Sequence, residues 1–321
     1  DLRHPDALAA LQRLIEGADV LLFNLRPASM ARLGLSYDDV ARLNPRIVYC
    51  GCYGFGERGR YAGKPALDDL IQGSVALPSL VGRVTGEPRY LPTNLCDRTT
   101  GLTAVYSVIA ALYAREKTGR GQAIEVPMFE TMTQFVLSDH MFGKTFDPPL
   151  ADAGYVRLLA KDRRPLRTRD GHICVLIYID RHWKSFCEML GRRDMLEDPR
   201  FLRMSDRTRN VDALYAFVAE VIATRTTAEW MEALARADIP VAPMHKPDSL
   251  MDDPHLADVG MFEWIEHPSE GRIRQMNVPG SWSDTPPAVR RHAPLLGENT
   301  REVLAEAGYA ANEIERLLAV G

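Results

Sequence analysis

Two short apolar runs, at residues 20–23 and 47–52, and a third strand-like segment at 122–126 are separated by stretches of helical periodicity. A short apolar run bounded by turn residues suits a strand buried on both faces. Strands spaced by helices pair in parallel, because a helical crossover brings the chain back to the same end of the sheet. The alternation therefore predicts an α/β fold with helices on the faces of a parallel sheet. Residues 6–16 place Leu8, Leu11, Leu14 and Ile15 on one helical stripe, and Ser36 suits the N-cap of a helix through Leu43.

The strongest helical pattern covers 98–118. Leu102, Val105, Tyr106, Ile109, Leu112 and Tyr113 recur at threes and fours, which predicts that this face is buried. Arg115 and Lys117 suit the negative end of the helix, and Gly119 a left-handed C-cap. After the Pro148-Pro149 break, 171–179 reads as a strand and 183–190, 210–222 and 227–236 as helices. Residues 266–294, rich in proline, glycine and charge, are expected to cross between domains, and two helices at 302–307 and 312–318 close the chain. The predicted division is a large domain at 1–140, a linker at 141–165 and a small domain at 166–260. The stretch 261–321 is read as a return crossing whose terminal helices pack on the large domain.

A length of 321 residues allows two domains or one large one. The formal charge is −4 and the basic residues are scattered, which argues against nucleic acid as a partner. No apolar run approaches the ~20 residues that cross a bilayer, so no membrane partner is expected. The chain opens on Asp1 without a methionine or the build of a secretory signal, and is expected to be part of a longer protein. Its five cysteines include no Cys-x-x-Cys pair, which suits reduced thiols in a cytoplasmic protein. Cys50 and Cys52 read as small core residues sharing one strand face. No histidine–cysteine cluster has metal-site spacing, and no metal is expected. There is no G-x-G-x-x-G and no Walker loop to support a dinucleotide or nucleoside triphosphate.

Several residues carry candidate chemistry. Asp97 stands before the long helix, where backbone N–H groups and the helix dipole would hold it ionised. An ionised, partly desolvated carboxylate can attack a thioester; the plain alternative is a helix cap. Asp68 and Asp69 can act as an acid/base pair or, better on bare grounds, as caps, since neighbouring side chains point apart. Cys96 would be a nucleophile only with a depressed thiol pKa, and no histidine stands near it in sequence. Asn24 and Arg26 follow a strand end, the edge where open parallel sheets bind ligands, and Arg26 and Arg32 can hold phosphates. Arg157, Arg163, Arg164 and Arg167 could pair with a dicarboxylate.

At these residues the chain resembles the family III CoA transferases, the group that includes formyl-CoA transferase, carnitine CoA transferase and the 2-methylacyl-CoA racemases. The resemblance runs through Asn24-Leu25-Arg26-Pro27, Leu43-Asn44-Pro45-Arg46-Ile47-Val48-Tyr49 and Gly54-Phe55-Gly56. It continues through Asp97, Lys117-Thr118-Gly119-Arg120-Gly121-Gln122, Asp170-Gly171, Ala237-Asp238-Ile239-Pro240 and Leu296-Gly297-Glu298-Asn299-Thr300. It implies a Rossmann-like large domain with a parallel sheet, a smaller α+β domain and an interlocked homodimer. It also implies an acyl-CoA:carboxylate CoA transferase with Asp97 as nucleophile, working through an aspartyl-CoA thioester. Coenzyme A enters as the acyl-CoA substrate, alongside a small carboxylic acid, with no permanently bound cofactor. Its contacts are implied at Asn24, Leu25, Arg26, Arg32, Lys64, Pro65, Ala66, Leu67 and Asp68. The family's opening strand, helix and strand have no counterpart before Asp1. Leu25 and Ala28 replace the usual Phe and Gly, and the family's mobile glycine run is reduced to Gly154. The racemase branch needs a histidine where this chain has Leu67. A racemase and a non-catalytic CoA-binding protein remain the alternatives.

Overall fold

The computed structural model describes residues 1–177 and 179–320. These divide into two compact units, Asp1–Lys161 together with the stretch from Arg301, and Asp162–Thr300.

The first unit begins with α1 (Pro5–Gly17), β1 (Val20–Phe23), α2 (Pro27–Arg32), α3 (Tyr37–Leu43) and β2 (Val48–Tyr53). It continues with α4 (Asp68–Ser74), α5 (Leu77–Thr85), α6 (Leu95–Thr118), β3 (Gln122–Pro127) and α7 (Met128–His140). The strands lie in the order β1-β2-β3 and all pair in parallel, with Val20 beside Val48 and Val48 beside Gln122. A helical crossover separates each pair, as the alternation predicts. Ser36 and Asp39 form a reciprocal capping box at the start of α3.

Side chains of β2 alternate between two cores. Tyr49 joins Ile15, Met30, Leu35, Val40 and Ile47, with its hydroxyl donating to Leu35 O at 2.8 Å. Cys50 faces the other way and packs with Ala104 of α6 and Val126 of β3.

The structure corrects the expected face of α6. Its buried positions are Cys96, Thr100, Ala104, Ala111 and Arg115, while Leu102 is 69% exposed and Tyr113 67%. Val105, Tyr106 and Ile109 are exposed with them. The helix is apolar on more than one side, and the side with small residues lies on the sheet because alanine lets the two backbones approach closely. Arg115 also does more than complement the helix dipole: its guanidinium meets Asp19 at 2.8 Å and donates to Arg46 O at 3.3 Å.

The end of α6 shows what the Gly-Arg-Gly-Gln run does. Gly119 caps the helix at φ +75°, a left-handed conformation that glycine adopts without strain. Gly121 donates to Pro45 O at 2.9 Å and passes so close to the chain before β2 that an added Cβ would lie 1.9 Å from Ile47 O.

The second unit contains β4 (Leu166–Arg167), β5 (His172–Val175), α8 (Asp180–Met189), α9 (Asp194–Glu197), α10 (Met204–Arg209) and α11 (Val211–Ile222). It goes on with α12 (Thr227–Arg236), β6 (Val241–Pro243), α13 (Pro247–Leu250), α14 (Pro254–Asp258), β7 (Phe262–His267) and β8 (Gly271–Met276). Strands β4, β5 and β6 form an antiparallel sheet whose core gathers Trp183, Phe186, Phe201 and Trp230. The strand expected at 171–179 is shorter, and the Tyr178 part of that expectation lies outside the described residues. Asp170 accepts from the backbone N–H of Thr227 at 2.7 Å and from its hydroxyl at 2.9 Å, tying the β4–β5 turn to α12. Residues 262–276, which overlap the start of the crossing expected at 266–294, form an antiparallel hairpin of β7 and β8. Helices α15 (Thr300–Glu306) and α16 (Ala311–Val320) end the chain, and Leu304 and Ile314 pack on Ala10 of α1.

Gly121→Ala is expected to lower the unfolding free energy by about 1–3 kcal/mol or more, the usual cost of forcing atoms into filled space. Gly17→Ala, where an added Cβ meets nothing within 4 Å, is expected to leave it unchanged or raise it. Urea unfolding followed by circular dichroism reads both.

Candidate active site

A cavity of about 960 Å³ opens at the C-terminal ends of β1 and β2. That edge of a parallel sheet is the usual ligand position, because the strands end there and loops diverge. Its wall includes Leu22 and Phe23 from β1, Asn24 and Arg26 from the turn that follows, and residues 64–67. From α6 it receives Asp97, Thr100, Gly101 and Ala104. Asn24, Arg26, Lys64, Pro65, Ala66, Leu67 and Asp97, all singled out in the sequence, therefore share one wall.

Local backbone demands bring these pieces together. Pro27 starts α2 directly after Arg26, whose guanidinium donates to Gly63 O at 3.2 Å and pins the loop that carries Lys64. Lys64 Nζ lies 4.3 Å from the centre of the Tyr61 ring. At Gly54 an added Cβ would sit 2.3 Å from the Ala66 Cβ, so only glycine lets residue 66 close on the strand end. The Gly56 and Glu57 N–H groups donate to Glu130 at 3.1 Å and Glu125 at 2.8 Å, anchoring the start of the same loop.

Three of the expected contact residues are placed elsewhere. Leu25 is exposed outside the cavity wall, and Arg32 turns back to donate to Ser29 Oγ at 2.9 Å. Asp68 lies behind the wall, only 8% exposed. Among the further arginines, Arg157 donates to the Tyr155 hydroxyl at 3.3 Å and Arg164 pairs with Asp162 at 2.9 Å. Arg157, in the first unit, is outside the wall of the Asp97 cavity.

The position of Asp97 differs from expectation in an instructive way. It is the third residue of α6, not the residue before it, and its carboxylate does not receive the free N–H groups of the helix start. Asp68 takes that role, its Oδ2 accepting from the Asp97 N–H at 2.9 Å. One more free donor of the helix start is also used, the Leu95 N–H by Thr93 O at 2.8 Å. Asp68 does act as a cap, but of α6 and not of its own helix.

Gln72 makes this possible, and sequence reasoning overlooked it. It has no exposed surface; its Nε2 donates to Asp68 Oδ1 at 2.7 Å and its Oε1 accepts from Leu91 N–H at 2.9 Å. The readable signal was its spacing of four from Asp68 in a helix, which puts the two side chains on one face. Thr100, also overlooked, follows Asp97 by three residues; it is buried, and its hydroxyl has no partner among the described residues.

Loss of hydration in the cavity wall, and next the neighbouring Asp68 charge, push the Asp97 carboxyl above its ordinary value. Burial, with Asp68 and Asp97 adding to it, pushes the Cys96 thiol up to about 12. Cys96 is thus a protonated core residue and no nucleophile. Cys52, in the cavity wall, is lowered by its hydrogen bond with Cys50.

The first unit is thus an α/β unit with a carboxylate, Asp97, in the wall of a partly basic cavity at its strand ends. The sequence model of CoA-transferase family III matches residues 1–300, and the chain belongs to that family. An acyl-CoA transferase of Fusarium pseudograminearum is 28% identical over 94% of this chain and 67% of its own length. An acetyl-CoA:oxalate CoA-transferase of Acetobacter aceti is 31% identical over 74% of this chain and 61% of its own. The chain thus spans about two thirds or less of these relatives. The crystal structure of Rv3272 from M. tuberculosis matches with a TM-score of 0.80 over 94% of this chain and 79% of its own, at 24% identity, and shows the fold.

Thiol labelling of the native protein tests the burial pattern. Iodoacetamide is expected to reach exposed Cys174 and half-buried Cys52 first. Buried Cys96 and Cys187, both pushed up to about 12, are expected to react roughly a hundredfold more slowly or less. Peptide mass mapping gives the order.

Proposed function

We propose that the protein is an acyl-CoA:carboxylate CoA transferase in which Asp97 is the nucleophile. The observation that carries this reading is the position of Asp97 in the wall of one cavity with Asn24, Arg26 and Lys64. Two cations and an amide suit the phosphates of coenzyme A, and a carboxylate beside them suits attack on its thioester.

The Asp97 carboxylate adds to the acyl carbon, the carbon–sulfur bond breaks, and a mixed anhydride forms with release of CoA thiolate. The thiolate then attacks the aspartyl carbonyl, giving an aspartyl-CoA thioester and freeing the first acid. An incoming carboxylate attacks that thioester, and the thiolate returns to the new acyl group. Each hard exchange is split into easier ones. The Acetobacter relative, named for acetyl-CoA and oxalate, supports small carboxylic acids as partners.

The racemase alternative needs a second acid/base. Leu67 occupies the place where that branch carries histidine, and no histidine lines the cavity among the described residues. The homodimer is supported by exposed Leu102, Tyr106 and Tyr113 on α6, outside the cavity wall and of the kind that marks interaction surfaces. A cytoplasmic setting is supported by the five free thiols.

Intact-protein mass after incubation with a panel of acyl-CoAs tests the mechanism. Wild type is expected to gain a CoA-sized adduct that a free carboxylate discharges, and Asp97→Ala to gain none; adduct on Asp97→Ala would sink the reading. Replacing Arg26 or Lys64 by Ala is expected to raise KM for acyl-CoA about tenfold, the order of one lost charge-assisted contact, with a smaller effect on kcat.

A further inference from the structure

The Asp68 side chain is buried, charged in type and aimed at the backbone of the proposed nucleophile, yet it lies outside the cavity wall and touches no ligand space. Both of its oxygens are committed as acceptors, Oδ2 from the Asp97 N–H and Oδ1 from Gln72 Nε2. Gln72 cannot swivel freely, since its Oε1 accepts from Leu91 N–H and its Nε2 also reaches Leu91 O at 3.4 Å and Thr93 O at 3.3 Å. Asp68 is thus held with both oxygens engaged as acceptors.

We infer that Asp68, locked by Gln72, is a positioning residue that sets a fixed negative charge beside Asp97 and so favours its acylated state over its free carboxylate. This rests on the transferase reading above and deepens it. When Asp97 is acylated it becomes neutral, and the negative charge leaves first on the CoA thiolate and then on the released acid. Repulsion from Asp68 is therefore relieved in the anhydride and in the aspartyl thioester, and returns only when Asp97 is set free. The same repulsion opposes ionisation of Asp97, in keeping with the upward push on its carboxyl.

Other charged or titratable groups lie around Asp97. Asp69 comes from α4, Cys96 and Arg98 from α6, Lys64 from the loop before α4, Arg26 from the turn after β1, and Tyr53 from the end of β2. Arg26 and Lys64 act in the opposite direction to Asp68, which makes the size of the Asp68 contribution a matter for measurement. Because protonation and acylation both neutralise Asp97, removing the Asp68 charge is expected to move the two equilibria in the same direction.

Two measurements on wild type, Asp68→Asn and Asp68→Ser test this. Both variants keep an oxygen that can accept from the Asp97 N–H, and Ser avoids placing an amide against Gln72. The first measurement is the carbon-13 titration of the Asp97 carboxyl in the ligand-free protein, assigned by its loss in Asp97→Asn. The second is the equilibrium fraction of aspartyl-CoA adduct formed from acetyl-CoA at set acetate concentrations. The Asp97 midpoint is expected to move to lower pH in both variants. The adduct equilibrium constant is expected to fall with it. An unmoved midpoint in the folded variants overturns the inference, and so does a moved midpoint with an unchanged adduct constant. If wild type forms no adduct, the transferase reading has failed for that donor, and the titration alone still decides whether Asp68 bears on Asp97.

Discussion

Helix α6 can reach the sheet only because the side it presents is made of small residues. Ala104 meets Cys50 and Val126, so the helix axis lies close over β2 and β3 without large side chains between them. Its far end is clasped by Arg115 on Asp19 and by the tight passage of Gly121 against Ile47. Its near end is held by Asp68 through the N–H of Asp97. A helix fixed at both ends and along its length delivers a residue in its first turn to a defined place at the strand ends. The cavity, the place of Asp97 in its wall and the electrostatic surroundings of Asp97 all follow from that seating.

Much of this was readable, and the failures share a cause. The strand at 20–23, the Ser36 cap, the Gly119 cap and the helix at 227–236 are local events, governed by period, capping chemistry and φ preference, and each stands where its residues indicate. What local pattern cannot supply is the choice among competing partners. The stripe from Leu102 to Tyr113 is the more apolar side of α6, yet backbone proximity favoured the side of Ala104 and Ala111. The β7–β8 hairpin hides in a stretch whose composition suggests a crossing, because its strands alternate weakly and are mostly exposed. For the site, part of the wall, Asn24, Arg26, residues 64–67 and Asp97, could be named from sequence and resemblance. The distinction between wall and support could not, since Asp68 and Leu67 are neighbours that differ only in which way they face.

Asp97 illustrates why that distinction bears on chemistry. A carboxylate at a helix start is ordinarily stabilised by free N–H groups and by the dipole, and a stabilised anion is a poor nucleophile. Here the N–H of Asp97 itself is given to Asp68. The positive end of α6 is thus spent on a carboxylate that never reacts. The one that is proposed to react is left less well stabilised, with its carboxyl pushed above its ordinary value. A nucleophile gains reactivity with basicity so long as it remains ionised at working pH. Arg26 and Lys64 in the same wall oppose Asp68 and favour that ionisation. Their ammonium and guanidinium groups also suit the phosphates of an incoming coenzyme A, so ligand binding would draw part of their charge away from Asp97. On that account the carboxylate becomes most basic when the thioester is beside it, and the support behind the wall matters as much as the wall itself.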